Sequence, residues 1–172
     1  MKALTSHLLR DHVLVGAVAA ALLIPVFGGW GSLVFWLATI LIDLDHYLNF
    51  VFRSGFKYFS LPLMFRFHHA LFQRKDRSDY LDIEVFHTVE FFVLFAVLAF
   101  GFFPPLEPAF WGLAFHIAVD LVHLACHRIL ARRAHSFPEY FLRVKYMRSK
   151  GMDPEIVFLE ALCEVPLRGK QA

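Results

Sequence analysis

"FWLATILIDLDHYLNF", residues 35–50, opens like a membrane-crossing helix and then sets Asp43, Asp45 and His46 where hydrocarbon is expected, with no basic residue nearby. An ionised carboxylate at membrane depth is strongly disfavoured unless a proton, a counter-charge or a metal answers it. The surroundings are apolar throughout: of 172 residues, 58% are hydrophobic and 17% aromatic. Mean hydropathy is +0.55, above what an ordinary soluble domain of this length carries. The net charge of +2 discriminates little, but none of the 17 Lys and Arg falls between residues 11 and 52 or between 78 and 127. Those two gaps predict membrane segments.

A bilayer core of about 30 Å takes about 20 apolar residues per helix. Residues 13–52 can hold two such helices if the chain turns within "PVFGGWGS", where Pro25, Gly28, Gly29 and Gly31 favour a turn. A third span is predicted over residues 85–103, stopped by Pro104 and Pro105, and a fourth over residues 109–130. The expected fold class is all-α: a polytopic membrane protein built as a four-transmembrane-helix bundle with interfacial amphipathic helices. Residues 1–130, including an interfacial segment 53–82, form the expected bundle domain. Residues 131–172 supply cytoplasmic amphipathic helices packed on it. Lys2 and Arg10, six basic residues within 53–77 and seven within 128–150 share one side, while "GGWGS" and "PPLEP" carry none. The positive-inside rule then places both termini in the cytoplasm. Lys2 and Arg10 ahead of "VLVGAVAAALLIPVF" also fit a cleaved leader, but Asp11 and His12 open that run and no A-x-A site follows.

Between the spans, "FKYFSLPLMFRFHHALFQRK" mixes aromatics with bases and is too interrupted to cross, so it reads as a partly helical lid at the headgroups. "FPEYFLRVKYMRSK" reads as a second amphipathic helix, and "DPEIVFLEALCEV" as a terminal one capped by Asp153 with Pro154 in its first turn. Cys126 and Cys163 share no framework and are expected to be buried or idle.

The titratable residues within the spans are Asp43, Asp45, His46, His87, Glu90, His116, Asp120, His123 and His127, with His12 at the first mouth. Every charged one is acidic, so no salt bridge within the spans can answer them. A bound cation can, because neutral imidazole and carboxylate together are the ligand set of zinc, manganese and iron sites. Asp43 and His46 are spaced i, i+3, as are His87 and Glu90, while His116 and Asp120 are i, i+4 and are extended by His123 and His127. Each pair therefore shares a helix face. Facing helices that each contribute such residues are how carboxylate–histidine sites are built in four-helix bundles. At 1.5 Å rise per residue, helices of alternating direction bring these groups to one level in the cytoplasmic half, roughly 5–15 Å from the inner surface. Asp45 projects about 200° from Asp43 on an ideal helix, so it either supports a ligand or becomes one through local unwinding. His68 and His69 sit between lid ligand and headgroup-level residue, and His7 and His135 are expected to be solvated.

The set "DHVLVGA", "LIDLDH", "FHTVEF" and "FHIAVDL", in this order, resembles the bacterial family of inner-membrane metal-dependent hydrolases regulated by LexA. The resemblance covers the chain to about residue 127. It implies that His12, the Asp43, Asp45 and His46 motif, His87, and His116 with Asp120 occupy the family's motif positions, in the bacterial inner membrane. Ile42 stands where the family has Pro, and the compact H-R-x-x-T-H-S is replaced by a longer insert that leaves His68 or His69 as its first His.

The leading expectation is a metal-dependent hydrolase embedded in the membrane, with one or two divalent ions, zinc first and manganese or iron next. The metal ligands expected are His12, Asp43, His46, His87, His116, Asp120 and His123, with Glu90 as general base and Asp45 as the second choice. The depth matches an ester or phosphate linkage in the inner leaflet, so the expected substrate is a lipid or lipid-linked phosphoryl or acyl ester. Arg66, Arg74 and Lys75 are positioned to meet a phosphate. The alternative, a metal or proton transporter, needs a polar path through the outer halves, where Ser32 and Thr39 are nearly the only polar side chains. A haem bundle would leave the carboxylates unexplained. Nucleic-acid binding finds no support beyond basic loops that topology already explains.

Overall fold

The computed structural model describes residues 4–167, with side chains from residue 12 to residue 165; the side chain of His7 and the charges of Lys2 and Arg10 lie outside the described residues. The chain is mostly helical, as an all-α class requires. In order come α1 (Leu4–Leu22), α2 (Ile24–Leu41), α3 (Leu44–Arg53), α4 (Leu61–Phe72), β1 (Asp82–Ile83) and α5 (Val89–Ala96). A π turn over Val97–Phe102 prolongs α5. Then follow α6 (Glu107–Cys126), β2 (Arg133–Ala134), α7 (Phe137–Ser149) and α8 (Pro154–Leu167).

Two compact units result, one running up to Leu44 and from Val89 to Arg128, the other from Asp45 to Thr88 and from Ile129 onward. Residues of the segment 53–82 and of the stretch beyond 131 build a common core. Phe50, Phe67, Leu71, Val157 and Phe158 are buried together in that core. Ion pairs fasten α8 to the rest of the second unit: Arg53 to Glu155 at 2.9 Å, Arg77 to Glu160 at 2.5 Å, and Arg74 to Glu164. Asp153 Oδ1 accepts from the Glu155 N–H at 3.3 Å, the cap expected for α8. In the same unit β1 and β2 form a parallel pair, with Asp82 opposite Arg133.

Two helices are long and apolar enough to cross a membrane, Ile24–Arg53 and Pro104–Cys126, among the described residues. His12–Leu22 and Val89–Phe102 are shorter apolar runs. Only Leu23 separates α1 from the run Ile24–Leu41, and Pro25 sits in the first turn of that run, where its missing N–H is not needed. Gly28, at φ 70° and ψ 173°, is non-helical and breaks the run into two helices within the expected turn "PVFGGWGS", a backbone that a side chain would strain. The long second helix loosens at Ile42 and Asp43, where the Asp43 N–H reaches back only to the Ile40 carbonyl, at 3.3 Å. The third helix starts later than expected because Thr88 is extended, at φ −88° and ψ 151°.

Close approach sets the level of the site. A Cβ at Gly112 would lie 2.3 Å from the Phe35 carbonyl oxygen, and one at Gly16 would lie 2.6 Å from Thr39 Oγ1. Glycine at these two positions therefore lets α1 and α6 press on α2 near Phe35 and Thr39. Trp36 Nε1 donates to the Val13 carbonyl at 3.0 Å and fastens α1 there. One helical turn from Gly16, Thr39 and Gly112, toward the same end, stand His12, Asp43 and His116.

Candidate metal centre

His116 is the fixed point of the first unit. It is 1% exposed, and its Nδ1 lies 2.7 Å from the Thr39 carbonyl oxygen. A carbonyl only accepts, so Nδ1 carries the proton and the neutral ring presents a lone pair at Nε2. That Nε2 faces Asp43 Oδ1 at 3.4 Å and Asp120 Oδ1 at 3.8 Å. Asp120 Oδ1 is also 3.2 Å from His12 Nε2, and the His12 and His116 rings stack with centroids 4.3 Å apart. Facing acceptors repel unless a proton or a cation lies between them. Donor atoms of His12, His116 and Asp120 all lie within 4.8 Å of one another, a spacing one ion can serve. The tie from Nδ1 to a backbone carbonyl is also the outer partner that ligating histidines usually have. The donor set therefore fits a divalent transition metal.

His123 stacks on His127 with centroids 4.1 Å apart, and His127 Nδ1 donates to the His123 carbonyl at 2.9 Å. Glu90 stands in the first turn of α5. It shares no helix face with His87, because His87 ends a separate 3-10 turn over Val85–His87 and the extended Thr88 intervenes. The i, i+3 relation expected from their spacing is thus lost.

Asp45, His46 and His87 belong to the second unit. Asp45 is buried, and its Oδ2 accepts from His87 Nδ1 at 2.9 Å and from the Phe86 N–H at 3.1 Å. It is therefore already engaged in orienting His87. His46 Nδ1 lies 2.7 Å from Glu84 Oε1, and His68 Nε2 donates to the His46 carbonyl at 2.9 Å. Arg133 forms an ion pair with Glu84, both side chains being buried. Glu84 and Arg133 were missed by sequence reasoning. Glu84 precedes His87 by three residues, the same spacing used for the other pairs, but it lay just outside the span drawn from residue 85. Arg133 reads along the sequence as one more base of the topology signal. His69 is paired with Gln73, at 3.0 Å. His135 is half-buried rather than solvated, and its N–H donates to Glu139 Oε2 at 2.8 Å. Cys126 and Cys163 are free and exposed, not buried.

Burial, reinforced by the neighbouring His46, pushes the His68 pKa down to about 4 from 6.5. The unfolded chain then binds more protons than the folded one between about pH 6.5 and 4, so stability falls as the pH drops through that window. Unfolding midpoints measured across this range should show a loss of about 1–3 kcal/mol in the native protein that His68→Gln removes. Equal acid sensitivity in the variant would assign that slope to other groups.

No family model matches the chain, and no curated protein and no solved structure matches it either.

Proposed function

We propose that the protein is a membrane-embedded, metal-dependent hydrolase acting at the cytoplasmic leaflet, similar to the LexA-regulated inner-membrane family that its motifs resemble. The observation that carries this is the convergence of His12, His116 and Asp120, with Asp43 beside them, whose ligand atoms lie within reach of one ion. In this reading α1, α2, α5 with its π turn, and α6 are four spans with both termini cytoplasmic. Large apolar side chains exposed along them, including Val18, Leu22, Trp30, Leu94, Phe102 and Val122, support contact with lipid rather than water. The 19 residues of α1 cover about 28 Å, and the shorter third run is accommodated by local thinning of the bilayer.

His12, His116, Asp120 and Asp43 would hold the ion, with zinc the first choice and manganese or iron next. When bound, such an ion polarises a phosphoryl or acyl oxygen and acidifies a water molecule. Thr39 keeps His116 in the right tautomer through its carbonyl, and the stacked His12 ring limits rotation of His116. Glu90, in the same unit, is proposed as the general base. A lipid or lipid-linked phosphoryl or acyl ester suits a site within the inner leaflet.

Elemental analysis of the detergent-solubilised protein should find about one or two equivalents of divalent metal. Chelation should abolish turnover of p-nitrophenyl phosphate or p-nitrophenyl butyrate in micelles, and added zinc or manganese should restore it. A metal-free preparation that stays inert when metal is supplied would sink the reading. Metal-driven flux in sealed vesicles without hydrolysis would replace it by transport.

A further inference from the structure

Helix α7 is two-sided. Its inner side carries Tyr140, Val144 and Met147, packed with Leu81, Ile83 and Ala134. Its outer side leaves Phe141 66%, Leu142 69% and Tyr146 63% exposed. Lys145, Arg148 and Lys150 are exposed among them, and Lys150 Nζ lies 5.8 Å from the centroid of the Tyr146 ring. Phe141 with Lys145, and Leu142 with Tyr146, are spaced i, i+4, so aromatic, aliphatic and cationic groups share one face. Glu139 is taken by Arg143 at 2.8 Å and Asp153 by Arg148 at 3.2 Å. Four bases against two acids leave the helix and its end net cationic.

Large apolar groups interleaved with bases on one exposed face are the composition of a helix lying at a membrane surface. Aromatic rings settle at headgroup depth, and Lys and Arg meet phosphates there. Phe137 also follows Cys126, the end of a candidate span, by only eleven residues. That tether holds α7 within about 40 Å of the end of that span, whatever its path.

We infer that the outer face of α7 docks on an anionic phospholipid surface, with Phe141, Leu142 and Tyr146 entering the boundary between headgroups and acyl chains. Lys145 and Lys150 contact the lipid phosphates. This rests on α6 spanning the membrane.

The test uses the full chain with Cys126→Ser and Cys163→Ser, a nitroxide on Leu142→Cys, and a second preparation labelled on Leu94→Cys. Each is reconstituted in vesicles of phosphatidylcholine alone or mixed with phosphatidylglycerol. With phosphatidylglycerol present, the label at position 142 should collide with oxygen in preference to a water-soluble nickel chelate. Its preference should weaken in pure phosphatidylcholine, and Lys145→Gln and Lys150→Gln should each reduce the docking equilibrium about fivefold. A label at 142 that stays fully accessible to nickel while 94 is shielded would overturn the docking surface alone. Nickel access at both positions would overturn the membrane-spanning reading as well. Spin–spin broadening at 142 that is equal in both lipids would make the face a contact between copies and also overturn the inference.

Discussion

The His116→Ala protein is expected to purify with its metal affinity lowered by more than about a hundredfold and with hydrolysis at background. Losing even an outer partner of a ligand costs about 10–100-fold in affinity, and His116 stands at the centre. Its Nε2 faces both Asp43 and Asp120, and its ring stacks on His12. Because His116 is buried, truncation also opens a void, so loss of metal could follow from loss of packing. Asp120→Asn and Asp43→Asn separate the two causes, since each keeps the side-chain shape and removes one negative charge. Both should unfold near the native midpoint yet bind metal weakly. Full metal content in Asp120→Asn would show that the bound metal does not depend on Asp120, and the centre drawn on His12, His116 and Asp120 would fall.

Breaking the Arg133–Glu84 pair should give the largest stability loss in the second unit. Both residues are less than 10% exposed, so Arg133→Met leaves a carboxylate in a poorly solvated place with His46, at 2.7 Å, and His87, at 3.7 Å, to answer it. Removing one partner of a buried pair costs about 3–5 kcal/mol, whereas replacing both is often nearly neutral. Thermal unfolding in detergent should therefore fall by roughly 10 °C in Arg133→Met. The Arg133→Met, Glu84→Gln double variant should recover most of that. A single variant as stable as the native chain would mean that Glu84 is neutral when folded, and a double variant no better than the single one would point to lost packing of the Arg133 stem.

How far the site was legible depended on whether its geometry is local. His116 and Asp120 share a face because one helix runs through both, and that follows from spacing. His87 and Glu90 carried an equally good spacing that failed, because the extended Thr88 separates a 3-10 turn from α5. Asp45 was expected to support a ligand or to become one, and the residue it holds, His87, lies 42 positions along the chain. Nothing in the local pattern names that partner. Arg133 was visible as a base, yet a positive charge near a span end is more often a topology signal than the counter-ion of a buried acid.

Taken alone, the order of residues determined an apolar helical chain, two long apolar helices, and a set of acids and histidines recurring one helical turn apart. These depend on hydropathy and on the 3.6-residue period, both properties of neighbouring positions. Tertiary structure decided which of them meet. Glycines at 16 and 112 let two helices close on Thr39 and so bring His12, Asp43 and His116 to one level. The proton on each imidazole is likewise set by an oxygen from a distant segment: Thr39 for His116, Asp45 for His87, Glu84 for His46. A tautomer depends on the partner that packing supplies, and no periodicity along one helix can specify it.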